Sequence, residues 1–526
     1  MSHSLPQQLE PTLVRTHRAL VRSTSPRTGR PLGHVPLLRD DEIRSTVARA
    51  RDAQRQWSEV PLRERRARLR PLQDYLANHQ DRFARLLSLE VGMTRQDALR
   101  AEVLPTLHAL GALHDMTGKW RHEGSVHRNW LAARFSTEHR RPLGVCAFVP
   151  CPSTPFFLPT VRTLLALLAG NAVVVKPSRR ASLVGESLSE LLQIARLPDG
   201  LFQLVTGPGR ALLDAGLELV HFTGSSGAAR RLSAAAAETL TPVMIDVAGK
   251  SPMIVLADAD LDAAADAAVW GAFHRAGQTL GATERVYVHH DVAPAFEARV
   301  AKRTHELLGG PTRDAELPAV CTPSDLVRIR HQLDDAVSRG GRILAGGHRP
   351  PGAGLVFEPT VVAGVNHECI CMTENTYGPL LPIMRFQDDE RAIALANALP
   401  RVRRASLWSR NQRRSKMLAR GLNAPAVSLN DATVVPALPS IVGGDPIHAQ
   451  RLEQAIGLGL HDVTALQRIQ WTPTRRQFRW WWKSDSQRDR WAELAEALAN
   501  SRQTRTRALL RLGVRFRPRG RRSHRE

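Results

Sequence analysis

The sequence predicts an α/β protein in which two domains of this class follow each other along one chain. A length of 526 residues exceeds what one hydrophobic core usually supports. Strand-like runs alternate with helical stretches between residues 143 and 290, and the pattern returns between about 260 and 430. Alternation at this spacing is typical of βαβ units, which place parallel strands in an open sheet.

The N-terminal part is predicted to be a layer of helices. Between residues 41 and 118 charged and apolar residues recur at helical spacing, and one run ends at Gly92, a residue suited to a helix C-terminus. The segment 128–149 mixes alternating and continuous apolar residues around a Pro-Leu-Gly turn, which favours strands there.

Strands and helices of the two α/β regions are predicted from short apolar runs. In the first region the predicted strands read GVCAFV, AVVVKPS, LFQLVTG, LELVHFTG, PVMIDV and SPMIVL. Helices are expected around 182–195 and 227–239, and TVRTLLALLAG fills the space between the first two strands. In the second region the candidate strands read RVYVH, RILAGG, LPIMRF and AVSLND.

Composition limits the class of protein. No apolar run reaches the roughly 18 to 20 residues that a membrane span needs, and no secretory signal is visible, so we expect a cytoplasmic protein. Five cysteines are too few and too irregular for a disulfide framework in so long a chain. Cys369 and Cys371 have no second ligand pair, so they are predicted to be buried strand residues, and no metal is expected.

Three loops place small or cationic groups at the carboxyl ends of predicted strands, where open α/β sheets bind ligands. The first is Lys176-Pro177-Ser178, the second runs from Phe222 to Ser225, and the third is MIDVAGKSP. The Gly-Ser turn of the second loop precedes a predicted helix, whose first N–H groups suit a phosphate. Each loop alone is a weak indication of a nucleotide site.

Taken in order, with GQTLGATERVYVH and ENTYGPLLPIMRF downstream, these loops resemble the aldehyde dehydrogenase family from about residue 24 to residue 470. The resemblance implies an aldehyde dehydrogenase-like fold: a Rossmann-type nucleotide domain, a second α/β catalytic-type domain and a β oligomerisation arm. It also implies the following division: a helical layer at 1–127, a hairpin at 128–141, the NAD(P)-binding domain at 142–248, the catalytic-type domain at 249–434, a closing segment at 435–470 and a tail at 471–526.

The resemblance also assigns the positions of the chemistry. In the family a cysteine thiolate attacks the aldehyde, an asparagine helps to hold the oxyanion, hydride passes to the nicotinamide, and a glutamate activates water. Leu280 occupies the nucleophile position, Asp246 the base position and Ser153 the oxyanion position. An aliphatic side chain forms no thiohemiacetal, so we expect a pseudoenzyme. Cys151 is a candidate substitute thiol, although packing explains it equally well.

The cofactor positions are changed as well. Asn375 replaces a glutamate that holds the nicotinamide ribose, and Arg179 replaces an acidic residue that accepts from ribose hydroxyls. Since a guanidinium suits a 2′-phosphate, either NAD or NADP is expected, with NADP favoured. The matched cofactor-binding positions are Lys176, Ser178, Arg179, Gly224, Ser225, Asn375 and Tyr377.

The tail is basic and rich in tryptophan. Residues 471–526 hold 16 Arg or Lys and 5 Asp or Glu, within a chain of net charge +23. Such a segment suits an anionic membrane surface, a nucleic acid, or a helix packed on the body of the protein. Three functional interpretations result: a binding or oligomer subunit, as a homodimer or beside an active paralogue; an oxidoreductase with an altered mechanism; and a peripheral membrane or nucleic-acid scaffold.

Overall fold

A computed structural model describes residues 19–117, 127–129, 134–309, 317–352, 354–400, 402–432 and 458–471. Most of the predicted closing segment and of the basic tail lies outside these residues, so their predicted roles stay predictions. Among the helices of the described ranges, none combines the length and apolar character of a membrane span.

The N-terminal layer is helical, as predicted. It follows, along the chain, an antiparallel ribbon of β1 (Leu20–Thr24) and β2 (Pro31–Pro36). Asp40, Asp41 and Glu42 lie in the first turn of the first helix, where carboxylates suit the helix dipole. A π-helical turn joins the last two helices. The helices are α1 (Asp40–Glu59), α2 (Leu62–Leu69), α3 (Pro71–Asn78), α4 (Gln80–Val91), α5 (Arg95–Ala98) and α6 (Leu104–Thr117).

The first α/β region forms a five-stranded sheet, all of whose pairings are parallel. Its strands are β5 (Val145–Val149), β6 (Ala172–Val175), β7 (Phe202–Leu204), β8 (Leu219–Gly224) and β9 (Val243–Val247), in the order β7-β6-β5-β8-β9. Its helices are α7 (Phe157–Ala169), α8 (Ser182–Gln193), α9 (Gly209–Asp214) and α10 (Ser226–Glu238). All of α7 is buried. This sheet brings the carboxyl ends of β6, β8 and β9 to one edge.

The second region forms a seven-stranded sheet that is parallel except at one edge. Its strands are β10 (Pro252–Val255), β11 (Arg285–His289), β12 (Arg342–Ala345), β13 (Thr360–Ala363), β14 (Leu380–Phe386), β15 (Arg404–Trp408) and β16 (Ala426–Leu429). Their order is β12-β13-β14-β11-β10-β15-β16, with β12 antiparallel to β13. The helices are α11 (Leu261–Phe273), α12 (Ala293–Gly309), α13 (Pro323–Ser338), α14 (Ile370–Thr373), α15 (Asp389–Asn397) and α16 (Gln412–Arg420).

Both faces of the seven-stranded sheet are covered. On β10, Met253 and Val255 belong to one apolar cluster and Ile254 to another, because successive side chains point to opposite faces. The expectation of strands at Cys369 and Cys371 is wrong: both are buried, but Cys371 lies in α14 and Cys369 immediately precedes it. That apolar run packs as a helical turn against the core beneath it.

A separate unit contains β3 (His127–Asn129), β4 (Arg134–Pro142) and β17 (Thr464–Trp471), which form a three-stranded sheet. β3 and β4 are antiparallel, as the predicted hairpin requires. An ion pair of 2.7 Å joins Arg468 Nη2 to Glu138 Oε1 between the outer strand and the central one. Three large apolar residues of β17, Leu466, Ile469 and Trp471, are exposed.

Candidate active site

The carboxylate of Asp246, at the end of β9, lies in a buried ion cluster with two arginines. Arg162 Nη2 donates to Asp246 Oδ2 at 3.0 Å, and the guanidinium of Arg403 pairs with the other carboxylate oxygen. Arg162 Nη1 also donates to Thr223 Oγ1 at 2.6 Å. Arg162 is 1% exposed, Asp246 7% and Arg403 31%. We call Arg162, Asp246 and Arg403 the carboxylate cluster.

Both oxygens of Asp246 are therefore engaged by cations. Arg162 belongs to α7 beside the five-stranded sheet, and Arg403 stands just before β15 of the seven-stranded sheet. The cluster thus joins the two sheets through one carboxylate. A general base must lie within hydrogen-bond reach of the proton that it takes. For Asp246 to act as a base toward water, the water molecule would first have to displace one of the two guanidiniums.

The surroundings of the cluster favour uncharged forms of neighbouring groups. Burial lowers the pKa of Arg162 to about 9, which leaves the guanidinium protonated at neutral pH. Burial, and then the charges of Arg162 and Arg403, lower the pKa of His221 to about 2. His221 is therefore neutral at neutral pH, and its Nδ1 is buried without a hydrogen bond in the described part of the chain.

We expect the neutral His221 to make the protein sensitive to acid. Below pH 6.5, the ordinary pKa of histidine, His221 is protonated in the unfolded chain and stays neutral in the folded chain. The free energy of unfolding therefore falls as the pH falls. The slope contributed by this group is about 1.4 kcal/mol per pH unit. His221→Gln should remove it, as urea unfolding at pH 7, 6 and 5 would show. Parallel pH profiles of the two proteins would contradict this assignment.

Ser153 lies in the loop after β5, where its hydroxyl contacts a thiol. Cys151 Sγ is 3.2 Å from Ser153 Oγ and 3.1 Å from Thr154 Oγ1. Cys151 is 9% exposed, and the other four cysteines are buried as well. The side chain at the predicted oxyanion position therefore already has a partner within its own loop.

Leu280 follows a backbone turn of unusual geometry. Arg275 and Ala276 have φ of 57° and 54°, and Gly277 has φ of 69°. A Cβ on Gly277 would lie 2.3 Å from the carbonyl oxygen of Gly378, so only glycine fits. An ion pair holds the turn in place, since Arg275 Nη2 lies 3.1 Å from Glu102 Oε1. Leu280 itself is half-buried and brings no nucleophilic atom.

Glu102 connects this turn to the start of α7. Its Oε2 accepts hydrogen bonds from the backbone N–H of Phe156 at 3.0 Å and of Phe157 at 2.8 Å. Burial raises the pKa of Glu102, and the charge of Arg275 opposes that effect. A buried carboxylate therefore holds the helix that carries Arg162 and the turn that carries Leu280.

The predicted phosphate and ribose positions of the first sheet lie at its carboxyl edge. The ammonium of Lys176, just after β6, makes no hydrogen bond or ion pair among the described residues, and burial followed by Arg179 lowers its pKa. Arg179 is exposed, and Ser178 Oγ accepts from the Arg180 N–H at 3.2 Å. The charge of Arg179 acts on the ammonium of Lys176, so two cationic groups lie near each other at this edge of the sheet.

Gly224 and Ser225 lead from β8 into α10. Ser225 is the N-cap, and its Oγ accepts from the Ala228 N–H at 3.3 Å. A Cβ on Gly224 would lie 2.6 Å from the ring of Phe222, so a side chain would displace that ring. The glycine therefore makes room for the Phe222 ring beside the start of α10, whose first N–H groups would suit a phosphate.

The loop with Asn375 and Tyr377 is held by a buried network. Lys250 Nζ lies 2.7 Å from Glu284 Oε2 and 3.0 Å from Thr376 Oγ1, and Glu284 Oε2 also accepts from the Thr376 N–H at 2.9 Å. Within the described ranges, Asn375 Nδ2 is buried without a hydrogen-bond acceptor. Burial raises the pKa of Tyr377 to about 12, so its hydroxyl is neutral. An orphaned amide donor here fits a ribose hydroxyl of a dinucleotide.

Sequence reasoning missed Arg162, Arg403 and the Lys250–Glu284 pair. Arg162 is the one charged residue in the otherwise apolar run TVRTLLALLAG, which is a signal that a buried partner exists. Among possible metal ligands of the described residues, His289, His290 and Asp291 lie within 4.8 Å of one another, and both histidines already pair with Asp291.

Comparison with known proteins shows the family of this chain. Residues 14–445 match the model of the aldehyde dehydrogenase family. The chain belongs to the aldehyde dehydrogenase family. A 4,4'-diapolycopene aldehyde oxidase of Methylomonas sp is 35% identical over 416 residues, which cover 78% of each chain. A 3,6-anhydro-alpha-L-galactose dehydrogenase of Streptomyces coelicolor is 32% identical over 78% of this chain and 84% of that protein.

Solved structures agree as well. An NAD-dependent aldehyde dehydrogenase from Sinorhizobium meliloti superposes with a TM-score of 0.77 and 26% identity over 88% of this chain and 93% of that chain. The predicted aldehyde dehydrogenase-like α/β fold is confirmed. In this family member, Lys176, Gly224, Ser225 and Asp246 lie at the carboxyl edge of the five-stranded sheet, and the roles assigned to them stay predictions.

Proposed function

We propose that this aldehyde dehydrogenase-family protein does not oxidise aldehydes by the thiol mechanism and acts as a cofactor-binding or oligomer subunit. The observation that supports this most strongly is the pairing of Arg403 with Asp246, which occupies the carboxylate at the base position. Leu280 at the nucleophile position supports it independently. The role of Ser153 is correspondingly reduced, since its hydroxyl contacts Cys151.

NADP, or else NAD, is the cofactor that we propose for the retained site. Among the described residues, Asn375 Nδ2 has no acceptor, so it is available to a ribose hydroxyl, as is the ammonium of Lys176. The N-terminus of α10 offers N–H groups to the pyrophosphate. Arg179 stands beside Lys176, where it suits a 2′-phosphate. When bound, such a cofactor supplies a hydride acceptor.

We expect binding without turnover. NADP⁺ at millimolar concentration should raise the midpoint of thermal unfolding, because a ligand of the native state stabilises it. Arg179→Asp should reduce the shift with NADP⁺ and leave the shift with NAD⁺ intact. No NAD(P)H should form from aliphatic or aromatic aldehydes. Steady turnover would contradict the loss of catalysis, and the absence of any shift would contradict cofactor binding.

A second candidate is aldehyde oxidation by an altered mechanism. Cys151 lies against Ser153, which makes its thiol the candidate substitute for the missing nucleophile. Any aldehyde-dependent NAD(P)H formation should then vanish in Cys151→Ala. Activity that survives this substitution would exclude Cys151.

Assembly with another subunit is also part of the proposal. The exposed apolar residues of β17 and the antiparallel pairing of β3 and β4 suit a sheet that a partner covers. Peripheral membrane or nucleic-acid binding through residues 471–526 remains a prediction of the sequence.

A further inference from the structure

A small pocket opens between α2, α3, α6 and α7, apart from the residues of the predicted active site. Its volume is about 160 Å³. An engineered apolar cavity of similar size, about 150 Å³, takes up benzene. Five leucines line it, namely Leu69, Leu110, Leu113, Leu164 and Leu168.

The polar residues of the pocket are predominantly cationic. Arg66 and Arg70 line it together with His114 and a single acidic residue, Asp115. Burial, and then the charges of Arg66 and Arg70, lower the pKa of His114, so the imidazole is neutral at neutral pH. Two guanidiniums against one carboxylate leave the pocket with one excess positive charge.

Arg66 presents a donor that the protein does not use. Its Nη2 donates to the carbonyl oxygen of His114 at 2.8 Å, which fixes the guanidinium at the pocket. Its Nε is buried and has no hydrogen-bond acceptor in the part of the chain that the structure describes. A ligand in the pocket does not reach that buried atom, so it contacts the rest of the Arg66 guanidinium, which lines the pocket together with Arg70.

We propose that this pocket binds a small organic carboxylate whose apolar body is about the size of a benzene ring. The leucines surround the apolar body, and the carboxylate accepts from the guanidiniums of Arg66 and Arg70 that line the pocket. The single excess charge of the pocket matches a monoanion. This site is independent of Leu280 and of the cofactor.

The probe for this pocket is 4-fluorobenzoate, titrated into the full chain and followed by ¹⁹F NMR. We expect saturable binding to one site per chain and no saturable binding of 4-fluorobenzyl alcohol, which keeps the ring and lacks the charge. Equal binding of the acid and the alcohol would overturn the ionic part of the proposal. The absence of binding by the acid would overturn all of it.

Two matched substitutions locate the site. Arg70→Gln, at an exposed pocket residue, should weaken 4-fluorobenzoate binding about tenfold, which corresponds to the loss of one charge-assisted contact. Arg63→Gln removes an exposed arginine from the same helix, outside the pocket, and should leave the dissociation constant unchanged. Equal effects of the two substitutions would mean that the acid binds through general surface charge, and the proposal would fail.

Discussion

Leu280→Cys is expected to form one NAD(P)H per subunit from an aldehyde substrate and then to stop. The introduced thiolate would add to the aldehyde carbon, and NAD(P)⁺, held by the proposed cofactor residues, would supply the hydride acceptor that leaves a thioester on the introduced cysteine and NAD(P)H in solution. Release of the acid needs a base for water, and both oxygens of Asp246 are paired with guanidiniums. Rapid-mixing absorbance at 340 nm and mass spectrometry of the thioester adduct would measure the burst.

A second substitution should convert the burst into turnover. Arg403→Gly in the Leu280→Cys background removes one guanidinium from Asp246 and leaves the thiol in place. Arg403→Gly alone is the control, and it should form no NAD(P)H. Steady turnover by Leu280→Cys alone would show that the pairing of Asp246 does not prevent water activation. No burst in either protein would show that thiol chemistry needs more than the nucleophile.

Asp246→Asn is expected to lower the free energy of unfolding by about 3 kcal/mol, because it leaves the charge of a buried arginine uncompensated. Arg162 is 1% exposed and pairs with this carboxylate at 3.0 Å. If Asp246 were instead an unpaired catalytic base, Asp246→Asn would raise the free energy of unfolding, because it would remove the desolvation cost of a buried charge. Urea unfolding at pH 7 would give the difference.

Arg403→Gln is the matched control for stability. Arg403 is 31% exposed, and Asp246 keeps Arg162 when Arg403 is replaced, so we expect a loss of about 1 kcal/mol. A neutral effect of Asp246→Asn, or equal effects of both substitutions, would contradict the structural role of the carboxylate cluster.

Most of the fold was predictable because apolar residues recur at a different spacing in long helices than in strands. The helices expected around 182–195 and 227–239 occur as α8 and α10, and all four candidate strands of the second region are present. The short strands β13 and β15 escaped prediction. A segment of four or five residues is too short for its period to distinguish a strand from a helix. Cys369 and Cys371 show the converse error, because a helical turn was predicted there as a strand.

The candidate site was predictable only in part. The resemblance to the family assigned roles to Asp246, Leu280 and the cofactor positions, and those roles stay predictions. The structure places Lys176, Gly224 and Asp246 at one edge of the five-stranded sheet, because carboxyl ends of parallel strands meet there. The partners of Asp246 were not predictable, since Arg162 lies 84 residues away and nothing in sequence spacing pairs them. Burial of a charge can be suspected from a sequence, but its partner requires the fold.

The contact of Gly277 with Gly378 has a consequence for how this protein diverged. The turn before Leu280 and the loop after Tyr377 meet backbone to backbone, and a Cβ on Gly378 would in turn lie 2.3 Å from Ile329. The shape of the cleft is therefore set by main-chain atoms and glycines, whereas the chemistry depended on side chains. Under the loss of catalysis proposed above, side-chain substitutions would remove the reaction one residue at a time and leave the main-chain contact between the two loops unchanged.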